Sequence, residues 1–264
     1  MSRRRTRSLV ALIPIAVIAT VVAFLPNWDN SPAPLPVVPQ SAPAIATPTP
    51  TSAESAAPTP TAPTTPANEF TAAAAVAAAL PLVDVGQEIP PYRRSSFGTA
   101  WTDIDGNGCR QRDDVLARDL VDVVLAENSC TVLSGVLEHD PYTGQRIIFQ
   151  HDRIAEPGNR GSQGVQTEHI FSLYAAFVGG AWAWTPERRL EFANTLENLI
   201  AVQGSANESK GEDGPAKWLP PVETGYLCTY VLKYTQIAQT WGLAVDVADR
   251  DALVHTLTVC GDPS

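Results

Sequence analysis

The chain has 264 residues, 44% of them hydrophobic and 17% charged, with a formal net charge of −10. That length allows one or two domains, and the acidic balance excludes a protein that grips nucleic acid through a broadly basic surface. Beyond residue 30 the count is 14 basic against 27 acidic residues, a charge of −13, so any phosphate contact has to come from a local basic cluster or a bound cation.

Arg3, Arg4, Arg5 and Arg7 precede an apolar run of 17 residues from Leu9 to Leu25. This is the pattern of an export signal, with positive residues holding the N-terminus inside. The run lies at the lower limit of a membrane span and no small-x-small cleavage site follows it directly, so residues 1–30 read either as a cleaved signal peptide or as a retained signal-anchor. Residues 31–80 are dominated by Pro, Ala, Thr and Ser, which cannot bury enough apolar surface to offset chain entropy; they are expected to form a disordered tether. Within it, the Ala-rich stretch from Thr71 to Leu80 has the composition of a short helix. One compact domain is expected over residues 81–264.

Near the start of that domain, Asp103, Asp105, Asn107 and Gly108 match the opening of a calcium loop, with Gln111 and Asp114 at its later ligand positions. Asp114 replaces the usual Glu at position twelve, and consecutive Asx turns can order such a loop without metal. A helix from Val115 to Leu125 is predicted to follow. Four cysteines in an exported chain predict two disulfides, and the pairs Cys109 with Cys130 and Cys228 with Cys260 are preferred because each brackets a local unit. No C-x2-C spacing supports a zinc site. His139 and His151 flank the Asp140-Pro141-Tyr142-Thr143-Gly144 turn and read as structural; His255 reads as a surface or boundary residue.

Val165–Ile170 and Asn198–Val202 are β-prone runs expected to pair. Between them, Thr185-Pro186-Glu187 signals a helix start with Leu190 and Phe192 to bury. Ser205 and Glu208 fit a capping box, placing Asn207 in the first turn of a helix and Lys210 on the same face. Leu227 to Trp241 follows helical spacing up to Gly242, and Asp249–Val259 is predicted as a further helix. The predicted class is α+β, helix-rich around a small hairpin.

Three blocks carry the chemistry: Glu168-His169-Ile170-Phe171-Ser172-Leu173, Asn198-Leu199-Ile200-Ala201-Val202 and Asn207-Glu208-Ser209-Lys210. An imidazole beside a carboxylate, followed by two spaced asparagines, supplies the base, ligands and positioning amide that a single-metal phosphodiesterase needs. The blocks resemble those of the HNH, or ββα-metal, endonucleases, in particular secreted bacterial members with a GmrSD-like HNH domain. The likeness extends to Tyr92, Arg94 and Phe97, to Trp101 through Cys109, to Asp140 through Gly144 and to Gly214 through Pro220. It thus covers almost everything after about Leu80. One departure is Glu168, where the family usually has Asp.

The resemblance implies a single domain built around a ββα-metal finger. His169 is expected as general base, with Glu168 and Asn207 holding a divalent metal, Mg²⁺ first and Mn²⁺ or Ca²⁺ as alternatives. Asn198 is expected to hold the finger loop and orient the histidine, and Lys210 to contact a phosphate. The expected substrate is DNA, with RNA as an alternative, and the protein a monomer that is secreted or anchored to the outer face of a bacterial membrane. A basic cluster of Arg93, Arg94, Arg110, Arg112, Lys210 and Lys217 would have to offset the acidic charge. The rival reading is a non-catalytic cell-surface binding module on the same scaffold.

Overall fold

A computed structural model describes residues 66–262. The export signal and most of the expected tether lie outside the described residues. Among the described residues, seven α-helices and two small antiparallel sheets make up an α+β fold: α1 (Pro66–Ala78), α2 (Gln111–Asp119), β1 (Val121–Leu125), β2 (Val132–Leu137), β3 (Ile147–Gln150), β4 (Val165–His169), α3 (Leu173–Val178), α4 (Pro186–Asn194), β5 (Leu199–Gln203), α5 (Gly204–Lys210), α6 (Leu227–Trp241) and α7 (Val247–Gly261).

The helical layer forms where the sequence carries both an apolar stripe and end signals. Thr185 caps α4 by accepting from the Arg188 amide, with Pro186 behind it, and Phe192 is fully buried. Helix α6 buries Tyr230, Val231, Tyr234 and Ile237 and ends at Gly242, whose φ of 66° suits the left-handed cap that glycine allows. Asp246 caps α7 through the Ala248 amide. The Cys228–Cys260 disulfide ties the start of α6 to the end of α7, and Cys109–Cys130 closes the second expected pair.

Three expectations need correction. Helix α1 packs on α6 and α7, with Ala73, Ala77 and Leu80 in the main core, so the fold begins before residue 81. Small side chains explain this: an Ala-rich face brings helices close without needing large apolar groups. The helix expected over Val115–Leu125 is instead α2 followed by β1. Leu120 turns extended (φ −96°, ψ 150°) to bury itself, and the β-branched Val121, Val123 and Val124 continue as a strand. That strand opens an antiparallel sheet in the order β1-β2-β3, an element the hairpin-only reading lacked.

The predicted hairpin is present. β4 and β5 pair antiparallel with Val165 opposite Gln203 and His169 opposite Leu199. This two-stranded sheet is a wall between two cores. Val165, Leu199 and Ala201 face a smaller core with Val115, Leu116 and Phe149, while Val202 and Ile200 face the main core of α3, α4, α6 and α7. Helix α2 closes the outer edge of β5: Arg118 donates to the carbonyls of Leu196 and Leu199, and Asp119 accepts from the Ala201 amide at 2.8 Å.

Candidate active site

Because side chains alternate along a strand, Glu168 and His169 leave β4 on opposite faces. His169, 6% exposed, lies beside Trp101, whose ring stacks on it at a centroid distance of 5.8 Å. Trp101 itself has a φ of 61°, an unfavourable conformation for a bulky residue that the surrounding fold imposes. The imidazole Nε2 stands 2.8 Å from the carbonyl oxygen of Ala193, at the end of α4. A carbonyl only accepts, so Nε2 carries the proton and Nδ1 keeps the lone pair. Burial pushes the imidazole down to about 3, with the Ala193 hydrogen bond opposing and the Arg94 and Lys210 charges adding to the shift. His169 is therefore neutral at ordinary pH. It borders a cavity of ≈ 30 Å³, room for a water molecule, lined also by Arg94, Phe97, Trp101 and Leu173.

Asn198 is completely buried and clamps the chain just past His169. Its Oδ1 accepts from the Phe171 amide at 2.8 Å and its Nδ2 donates to the Phe171 carbonyl at 3.1 Å, while the Ile170 amide donates to the Asn198 carbonyl at 2.9 Å. The expected loop-holding role fits this geometry. The histidine ring is oriented by Ala193 instead.

On the other face, Lys210 Nζ donates to Glu168 Oε1 at 2.6 Å and to the His169 carbonyl at 3.1 Å. The ammonium is fully buried and the carboxylate nearly so. Desolvation lifts the Glu168 carboxyl above its usual range, and Lys210 works against that rise. A buried, paired ammonium does not reach a phosphate, so the phosphate contact expected of Lys210 is not borne out; it is the counter-ion of Glu168. Asn207 donates through Nδ2 to Gln166 Oε1 at 2.7 Å, which leaves its carbonyl oxygen as the free acceptor.

Helix α5 starts differently from the capping-box expectation. β5 runs straight into it, Gly204 is its first residue, and the Ser205 hydroxyl bonds to Gln203 Oε1 instead of capping the helix. The Gly204 amide donates to the Gly164 carbonyl, and a Cβ at Gly204 would stand 2.0 Å from the Gln163 carbonyl oxygen. Tertiary backbone contact thus replaces the side-chain cap.

Four contributors escaped the sequence reading of the histidine's surroundings. The Ala193 carbonyl and the Gln166 amide carry no motif of their own; Arg94 and Trp101 stood in blocks of the family likeness, Arg94 also in the basic cluster, but with no role beside the histidine. Exposed Arg94 now stands on the cavity beside His169. Of the histidines read as structural, His151 accepts from the Arg153 amide at 3.2 Å, and both His139 and His255 are exposed. A concavity of ≈ 700 Å³ lies elsewhere, its charged lining dominated by Glu212, Asp213, Asp246 and Asp249 against the single Lys217, an environment unfavourable to phosphate. Among the described residues no three His, Cys, Asp or Glu side chains are grouped as a ready metal cluster.

Residues 110–256, more than half of the chain and including every residue from β4 through α5, match the family described as GmrSD restriction endonucleases, C-terminal domain. The chain belongs to this family. A nuclease-type function goes with membership of the GmrSD C-terminal domain family. An "uncharacterized secreted protein" of Arthroderma benhamiae is 34% identical over 171 residues, spanning 64% of this chain and 76% of the relative. That relative is fungal, so the similarity is not confined to bacteria. No solved structure matches. Both the two disulfides and the relative's description are consistent with an extracellular location. No helix among the described residues is long and apolar enough to cross a membrane.

Proposed function

We propose that this member of the GmrSD C-terminal domain family is an exported, metal-dependent endonuclease of the HNH type, hydrolysing phosphodiester bonds in DNA, with RNA as an alternative substrate. The observation that supports the reading is the β4–β5–α5 unit, which brings the three blocks carrying His169, Asn198, and Asn207 with Lys210 onto adjoining elements although the two strands are separated by α3 and α4. His169 is the general base: its Nε2 proton is engaged by Ala193, so Nδ1 is the nitrogen that takes a proton from water as the water attacks phosphorus. Burial holds the ring neutral. An incoming phosphate offsets the Arg94 and Lys210 charges and raises the ring's basicity toward the working range. Arg94, exposed at the cavity, binds that phosphate.

The hard oxygen donors that would hold a divalent cation are the Glu168 carboxylate, now paired with Lys210, and the Asn207 carbonyl. Mg²⁺ is the first choice, Mn²⁺ or Ca²⁺ the alternatives. Bound there, the ion would stabilise charge on the phosphorane and the leaving oxygen. Asn198 positions the loop after His169 and touches no reacting atom. The occupation of Glu168 by Lys210 favours the rival reading, a binding module without activity.

Plasmid nicking with and without EDTA separates the two readings. His169→Ala is expected to lower Mg²⁺-dependent nicking at least about 100-fold, the scale of general-base loss. Equal nicking by the variant would exclude the mechanism, and inactivity of the parent protein with Mg²⁺, Mn²⁺ and Ca²⁺ alike would leave the binding module.

A further inference from the structure

The segment from Asp103 to Asp114, which follows Trp101 and runs into the first turn of α2, takes no part in the reaction above, yet it is short of positive charge. Asp103 accepts from the amides of Gly106 and Gly108 through its two carboxylate oxygens, at 2.7 and 2.8 Å. Asp105 accepts from the Asn107 amide, and Asn107 Oδ1 from that of Cys109. The side-chain amide nitrogen of Asn107 stands between two carboxylates, 3.3 Å from Asp105 Oδ2 and 3.2 Å from Asp114 Oδ1. These bonds alone describe an ordered loop.

What points to a ligand is the acceptor surplus on α2. Gln111 is only 1% exposed and its Oε1 is buried with no hydrogen-bond partner. Asp114, one turn later on the same face of α2, reaches Asn107 with Oδ1 and leaves Oδ2 buried and unpartnered. Buried oxygens without donors are costly unless something satisfies them.

We propose that Asp103, Asp105, Asn107, Gln111 and Asp114, with the Cys109 carbonyl, form a Ca²⁺ site distinct from the Glu168–Asn207 pair. Positions one, three, five, seven, nine and twelve of a twelve-residue loop are those that supply oxygen to Ca²⁺, and the glycine required at six is Gly108, with a φ of 87°. The three aspartates alone are not grouped as a ready cluster, and the side-chain oxygens of Asn107 and Gln111 with the Cys109 carbonyl would complete the oxygen set. On binding, Asn107 turns its carbonyl oxygen inward and the cation takes over both carboxylates. Ca²⁺ suits the site because it accepts six to eight oxygens in a flexible shell, whereas Mg²⁺ demands a tight octahedron. The Cys109–Cys130 disulfide fixes the loop to the turn between β1 and β2, which leaves little to order on binding. An affinity in the range of extracellular calcium modules, roughly 10⁻⁴ to 10⁻³ M, is expected with Asp at position twelve.

Trp101, two residues before Asp103, provides the test. Tb³⁺ luminescence excited through tryptophan should saturate with the exported protein, and Ca²⁺ should displace the Tb³⁺ while equal Mg²⁺ does not. Asp105→Asn and Asp114→Asn should each weaken the Ca²⁺ competition at least tenfold with an unchanged circular dichroism spectrum, and Asn207→Ala should leave it intact. No saturable signal, equal competition by Mg²⁺, or unaltered binding in both aspartate variants would overturn the site. Loss of binding in Asn207→Ala alone would assign the ion to the other centre and overturn it equally. None of these outcomes depends on nuclease activity, so failure of the Ca²⁺ site and failure of the nuclease reading remain distinguishable.

Discussion

The two faces of the β4–β5 hairpin solve the problem of burying ionisable groups in opposite ways. On the His169 face the group is kept uncharged: desolvation, helped by the Arg94 and Lys210 charges and opposed by the one carbonyl partner, holds the imidazole neutral among Trp101, Phe97 and Leu173. On the Glu168 face charge is retained but matched, carboxylate against ammonium at 2.6 Å. Adjacent residues of one strand therefore carry a neutral base and a charged ligand candidate without sharing an environment. The hairpin is the partition that lets both states coexist within one residue of each other.

The sharpest way to break this arrangement is to remove one charge from the matched face. Lys210→Met should destabilise the fold by roughly 3–5 kcal/mol in urea denaturation, because Glu168 is left buried and unpaired. Glu168→Gln combined with Lys210→Met should recover much of the loss; a double variant as unstable as the single would show that packing, not charge, dominates. The same pairing revises what Glu168 substitutions report. Glu168→Asp withdraws the carboxylate from Lys210, so it tests stability as well as metal binding.

A smaller loss is expected at the joint between the faces. Asn198→Ala leaves both the amide and the carbonyl of Phe171 buried without partners, a cost of about 2–4 kcal/mol at about 1–2 kcal/mol per orphaned group. Activity should fall further than stability when the protein is assayed well below its melting temperature. Unaltered activity would show that the chain past His169 needs no clamp.

The neutral face is probed by pH. The folded His169 titrates near 3, below the unfolded value of about 6.5, so between these limits the unfolded chain binds the extra proton. Its contribution is fully present above about pH 6.5 and is lost as pH falls toward 3, at up to about 1.4 kcal/mol per unit. Urea titrations in EDTA should show this slope, and His169→Gln should flatten it. An identical slope in that variant would place the titrating group elsewhere.

The mildest effect is expected from Asn207→Ala, which removes one half-exposed hydrogen bond to Gln166 and should cost about 1 kcal/mol or less. Its consequence should appear as a higher Mg²⁺ requirement for nicking. An unaltered requirement would remove Asn207 from the ligand set.

Helices α4, α6 and α7 were legible because their signals are local: a cap, a proline, an apolar stripe, a terminal glycine. The order of His169, Asn198, Asn207 and Lys210 was legible for the same reason, as was the cysteine pairing. What was not legible depends on distant partners. The 42-residue gap between Glu168 and Lys210 gives no hint that the lysine turns inward, and the Ala193 carbonyl is a backbone atom that any residue would supply. The capping box failed because β5 enters α5 without a turn, so backbone donors already had tertiary partners. The Ala-rich stretch was legible as a short helix, but its place in the core was not, because alanine's small surface hides how closely it packs.

The hold of α2 on β5 also bears on how the protein avoids pairing with copies of itself. A two-stranded hairpin has exposed edges that recruit strands from other chains, the usual start of edge-to-edge aggregation. Along β5, the Arg118 guanidinium and the Asp119 carboxylate occupy the acceptor and donor positions that an incoming strand would use. Two side chains thus stand in for a third strand, and the segment that carries the site offers no template along that edge to a neighbouring molecule.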